Sequence, residues 1–196
     1  MSTRSRILIA ISALLLLGIY TAPIWQIRLS APQYPEGLGL LIHHNTITGQ
    51  TPNDLKNING LNHYIGMKEI VPDMVPTLKI IPYAIMFYVV FGLIVAVTGS
   101  VRLGWIWLVL ILIGLTAAFV DYFMWGYDYG HNLNPEAAIQ VPGMTYQPPL
   151  IGTKQLLNMN AGSWPHWGAA YALASILLGF GTLWMNRKKS NRHEIA

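Results

Sequence analysis

Four apolar runs, each about as long as a bilayer is thick, constrain this chain more than anything else in it. They are Ile7–Trp25, Ile80–Thr98, Leu103–Phe123 and Trp167–Met185. A helix needs about 20 apolar residues to cross a hydrocarbon core of roughly 30 Å. Inside lipid the backbone finds no water to bond, so such a run must be helical. Composition agrees: of 196 residues 53% are hydrophobic and 10% charged, against about a quarter charged in a soluble domain. The expected fold is mainly α, a four-transmembrane-helix bundle forming one membrane domain over 1–196. Its spans are 7–25, 80–98, 103–123 and 167–185. Two sizeable loop regions, 26–79 and 126–166, are expected to hold short helices and irregular structure. A cleaved signal peptide is the competing reading of the first run, because two arginines precede it. The length of the run and the lack of a clear Ala-x-Ala site favour a retained helix.

Charge then orients the bundle. Four spans put both ends and the 99–103 turn on one side. That side carries Arg4, Arg6, Arg102, Arg187, Lys188, Lys189 and Arg192 against Glu194 alone. The two long loops carry five basic and, with Asp121, seven acidic residues. Cytoplasmic loops are enriched in Lys and Arg, so both termini are expected in the cytoplasm and both large loops outside. Tryptophans favour bilayer borders. Trp105, Trp107 and Trp184 are expected at the inner one, and Trp25, Trp125, Trp164 and Trp167 at the outer one.

Within the loops, residues 37–50 have strand or hairpin character. Thr51-Pro52-Asn53-Asp54 predicts a helix start capped by Thr51, with the helix running on to Lys68. Asn134-Pro135-Glu136 predicts a second start, and residues 152–160 a short helix. Pro82 is expected in the first turn of the second span, where a missing N–H does no harm.

The chain has no cysteine. Disulfides, thiolate metal sites, Fe–S clusters and covalent c-type haem are therefore excluded. No histidine lies within an apolar run, so a bis-histidine b-haem inside the bilayer has no ligands. No serine-nucleophile motif, phosphate loop, HExxH or intramembrane carboxylate pair is present, so no enzymatic chemistry is assigned. The basic tail reads as a topology anchor rather than a nucleic-acid site.

What remains are outward side chains. His43, His44, His63, His131 and His166, with Met67, Met144 and Met159, are of the type that binds copper, since thioethers hold Cu(I) and imidazoles serve either oxidation state. His63 and Met67, four apart, would share a helical face. The same residues equally serve as ordinary loop and interface side chains. Asp121 is the one carboxylate near a span. If the third helix continues outward, Asp121, Trp125 and Asp128 share a face, with Tyr122 adjacent and His131 following. Such a group is a candidate partner or quinol interface, although Asp121 paired to Lys79 or to backbone is the plainer alternative. Gly168, Ala172, Ser175 and Gly179 space small residues along the fourth span, which suits close helix packing within the bundle or against a partner helix.

Three stretches go further: APQYPEGLGLLI (31–42), DLKNINGLNHYIGMKEI (54–70) and YDYGHNLNPEAAIQVPGMTYQPPLIGTKQLLN (127–158). With the four spans they resemble the NosB-like family of small integral membrane proteins encoded in clade II nitrous-oxide reductase gene clusters. The resemblance implies a bacterial inner membrane with periplasmic loops. It also implies an accessory role in assembling, anchoring or supplying electrons to a periplasmic copper enzyme, nitrous-oxide reductase, or work alongside its maturation proteins. No catalytic residue is carried over. Three functional expectations stand: a docking subunit for that reductase, a copper-binding assembly factor, and a quinol-interacting electron-delivery subunit.

Overall fold

The computed structural model describes residues 1–194, with side chains as far as Arg187. The side chains of Lys188, Lys189, Arg192 and Glu194, counted above in the orientation argument, lie outside the described residues. Four helices are long and apolar enough to cross a membrane, and they make this a multi-pass membrane protein. Helix α1 (Thr3–Leu15) continues as a 3₁₀ stretch, Leu16–Tyr20. Helices α3 (Pro76–Thr98) and α4 (Val101–His131) form a hairpin, and α5 (Trp167–Glu194) completes the bundle. Helix α1 packs between α3 and α5. The bundle core gathers Ile9, Ala13, Leu16, Val89, Val95, Trp107, Leu108 and Leu183.

The small residues of α5 face inward. Ser175 and Ser12 exchange bonds, each hydroxyl donating to the other's backbone carbonyl, at 2.7 and 2.6 Å. A Cβ on Gly179 would press on Trp107 and Ser12, and one on Gly168 would meet the Pro23 carbonyl at 2.7 Å. Ala172 packs against the bundle core. At the end opposite the sheet, Gly99 closes α3 with φ +67 and Ser100 caps α4 by accepting the Leu103 N–H. Arg6 reaches across to donate to the carbonyls of Ala96 (2.8 Å) and Val97. A cation over orphan carbonyls at a helix C-terminus is favourable on both hydrogen-bonding and dipole grounds.

The other end is far more elaborate, and there the expectation of short helices and irregular loops fails. Strands β1 (Trp25–Ala31), β2 (Tyr34–Ile42), β3 (Ile47–Gly49), β4 (Gly152–Leu156) and β5 (Met159–Pro165) form one sheet in the order β3-β2-β1-β5-β4. Every neighbouring pair is antiparallel. The first loop supplies three strands and the second supplies two, and the β1–β5 pairing joins them. Helix α2 (Asp54–Ile65) packs on this sheet, and both rest on the outer part of α4.

Several boundaries move as a result. The first span ends at Tyr20, and Trp25 opens β1. Trp25 is buried against Phe119 and Tyr122 rather than set in a lipid border. Trp107 is also no border residue: it is fully buried and donates its indole N–H to the Tyr88 carbonyl at 2.8 Å. Helix α3 begins at Pro76, which places Pro82 inside it. Thr51 does not cap α2. Instead the Asp54 carboxylate folds back to accept from the N–H groups of Gly39 and Thr51 and from the Thr51 hydroxyl. Helix α2 stops at Ile65, because Gly66 adopts φ +80 and the N–H groups of Gly66 and Met67 turn back onto the His63 and Asn62 carbonyls. No helix starts at Asn134, and residues 152–160 form β4, a turn and the start of β5.

Candidate functional site

Helix α4 is about 46 Å long at 1.5 Å per residue, some 15 Å more than a bilayer core requires. Its N-terminal half packs tightly through Trp107, Leu108 and Ile111. From Leu112 to Asp121 no side chain of α4 is buried, and burial returns at Gly130. Between these levels α4 keeps a close approach to α3 at Gly114, where an added Cβ would collide with the Tyr88 hydroxyl. A cleft of about 870 Å³ opens there, walled by residues of all four spans and roofed by the sheet. Leu16, Ile85, Ile111, Leu115 and Ile176 are among its apolar walls. Asp121, Tyr122, Trp125, His43 and His166 reach it at the sheet end.

That polar end is organised by Ser163 of β5, which is fully buried. Its Oγ accepts from the Trp25 indole N–H at 2.7 Å and lies 3.0 Å from the Tyr122 hydroxyl. It donates in turn to the Leu150 carbonyl at 3.1 Å. With its own proton committed, Ser163 must accept from Tyr122. One hydroxyl thus joins β1, β5, α4 and the second loop.

Beside it lies a seam of imidazoles. The His43 Nε2 is 3.2 Å from the Thr48 hydroxyl. His44 packs edge-on against Tyr20, with ring centres 4.6 Å apart, and Tyr20 donates to the Pro82 carbonyl at 2.5 Å. The Nδ1 atoms of His44 and His166 are buried without a hydrogen-bond partner. Burial holds the His43 ring below the ordinary histidine range, and the nearby charges of His44 and His166 push it the same way. Burial also lowers His44. In both, desolvation disfavours the charged form.

The residues expected to work together separate into several places. Asp121, Tyr122 and Trp125 line the cleft, since α4 continues as one helix through Gly126 and Gly130. Asp121 makes no bond to Lys79 or to backbone; the one ion pair among the described residues is Lys68–Asp128 at 2.6 Å. That pair ties the segment after α2 to α4, and Asp128 lies off the cleft. His131 also leaves the group, stacked on Tyr127 at 3.9 Å between ring centres. Met67, Met144 and Met159 join a small apolar core with Ala31, Ile65 and Tyr146. His63 is exposed on α2 beside Tyr64. Because α2 has already ended, Met67 does not continue the helical face of His63, although both border one shallow trough. Among the described residues no three of His, Asp and Glu come together as a metal site.

Sequence reasoning did not find His43 and His166 as neighbours, since the β1–β5 pairing that adjoins them spans more than a hundred residues. It also passed over Ser163, which carries no local motif. The apolar alternation Trp25, Ile27, Leu29, Ala31 was the available signal for β1. No protein-family model matches the chain, and no curated protein matches it.

Proposed function

We propose that this protein is an inner-membrane accessory subunit that presents its sheet domain to a periplasmic copper enzyme of the nitrous-oxide reductase type, supporting that enzyme's assembly, anchoring or electron supply. The asymmetry of the fold carries this reading. Four spans need only short turns to be joined, as the Gly99–Ser100 connection shows. At the opposite end the chain builds a five-stranded sheet with its own apolar core on a helix that overshoots the bilayer. A rigid platform on one side is suited to protein contact. The family resemblance supplies the partner's class, and the Lys and Arg excess at the turn end supplies the orientation.

The copper-factor reading has less support from the geometry. The candidate thioethers are packed into a core, and His63 and His131 stand apart from the imidazole seam.

Affinity isolation of the tagged chain from its native membranes after mild crosslinking is expected to bring down the reductase or a maturation protein. Failure to do so, together with normal reductase activity in a deletion strain, would sink the proposal. Orientation has its own check. A cysteine replacing Ala138 is expected to react with an impermeant thiol reagent added outside, and one replacing Thr98 is expected to be protected. The reverse pattern would overturn the orientation and the partner with it.

A further inference from the structure

The cleft calls for an occupant, and the membrane decides what kind. Its lower walls lie at hydrocarbon depth and are apolar, so a chain-like lipophile fills it at less cost than water. The upper end discriminates among lipophiles. A phospholipid phosphate requires a cationic cradle, and the two charged residues on the cleft are Arg28 and Asp121, of opposite sign. The other polar side chains there are hydrogen-bonding groups without a fixed charge. Trp25 stands edge-on to Phe119, with ring centres 5.5 Å apart at 89°, and Tyr122 is 5.6 Å away on its other contact. With Trp125 these rings border the cleft, and an aromatic border suits a flat ring. His166 borders the same space. Its Nδ1 is buried and unpartnered, so no protein bond locks its tautomer and Nε2 is the edge left for a ligand.

The geometry points to an isoprenoid quinone, in its oxidised or its quinol form, as the occupant, with its tail along the helices, its ring against Trp25 and Tyr122, and one ring oxygen hydrogen-bonded to the His166 imidazole. The site shares Asp121, Tyr122 and Trp125 with the interface expected from the sequence, but Asp128 and His131 are elsewhere, and the imidazole comes from the junction of β5 and α5. It requires no particular protein partner, so it stands or falls separately from the docking reading.

The test uses the full chain in phosphatidylcholine nanodiscs, with an azido-ubiquinone photoprobe and peptide mapping of the label. The expected result is saturable labelling of peptides containing Trp25, Tyr122 or His166, competed by decylubiquinone. A diazirine-bearing phosphatidylcholine should label outer helix faces such as Val109 and Ile113, without competition by decylubiquinone. In His166→Leu, which removes the hydrogen bond, and in Ala118→Trp, which fills the cleft, the half-saturating probe concentration should rise about tenfold or more, the equivalent of losing about 1.4 kcal/mol. Circular dichroism checks that each variant keeps its helices. Unsaturable labelling spread over the lipid-facing residues would show annular exchange only and overturn the proposal. So would phosphatidylcholine labelling of the cleft that decylubiquinone does not displace, or wild-type affinity in both folded variants. If neither variant folds, competition in the wild-type chain decides the matter.

Discussion

At the residue scale, two buried polar groups hold the sheet domain to its supports. Asp54 is buried, which by itself would raise its carboxyl pKa. Bonds from the Thr51 hydroxyl and from backbone N–H groups outweigh that, and the net direction is down. A depressed carboxyl contributes stability that is present above the unfolded value of about 3.9 and lost as pH falls through the folded value. Asp54→Ala should cost about 2–3 kcal/mol, the scale of bonds to a charged acceptor, and should remove part of the acid limb of a stability–pH curve measured by denaturation in detergent. Ser163→Ala should cost about 1–3 kcal/mol, because it strands the Trp25 N–H and the Tyr122 hydroxyl in a buried place. Thermal unfolding followed by near-ultraviolet circular dichroism reads it directly. The imidazole seam acts in a different window. His43 and His44 are depressed in the folded state, so the unfolded chain binds more protons and stability should decline as pH falls below about 6.5. A His43→Gln, His44→Gln variant should flatten that decline.

At the scale of elements, α4 is the axis on which both halves of the molecule are mounted. Its inner turns complete the bundle core and its outer turns form the floor of the sheet domain. Gly130 permits the second loop to cross it. The Gly130 carbonyl accepts from the Tyr146 N–H at 2.9 Å, and a Cβ there would meet the Gln147 backbone nitrogen at 2.3 Å. Backbone cannot swing aside as a flexible side chain does. Gly130→Ala should therefore displace the segment around Tyr146 and cost about 1–3 kcal/mol, the range for forced overpacking. Faster proteolysis of the 132–151 loop, with the bundle still helical, would report it. The Lys68–Asp128 pair beside it is half exposed, and pairs of that kind contribute about 1 kcal/mol or less.

At the scale of the whole molecule, the protein is two bodies sharing one helix: a bundle closed at the turn end and opened at the sheet end. Trp25, Phe119, Tyr122 and Trp125 belong to one apolar cluster that includes the sheet, and this fastens the C-terminal half of α4 to the strands. The cleft borders that contact, with Trp25, Phe119, Tyr122 and Trp125 on its lining. Trp25→Ala, which removes the largest side chain of β1 from this contact, should cost about 3–5 kcal/mol and also abolish the cleft's ligand capacity, measured by the same photolabelling.

The primary sequence alone determined that four segments cross a membrane and roughly where, because burying a polar backbone in lipid permits helices only and an apolar run of bilayer length is a local property. It also determined the hairpin tendency at 37–50, the small-residue stripe of α5 and the asymmetry of charge between the two ends. Tertiary structure decided the sheet, since its central pairing joins Trp25–Ser30 to Asn160–Pro165 across most of the chain, and a strand such as Gly152–Leu156 reads as helix until a partner offers it hydrogen bonds. It decided that α4 runs on through two glycines, because the sheet supports the outer turns that helix propensity alone would not hold. It also brought His43 and His166 to the mouth of one cleft and sent His131, Asp128 and the methionines elsewhere. Spacing along a chain specifies which residues share a face of a helix. Only packing specifies which faces meet.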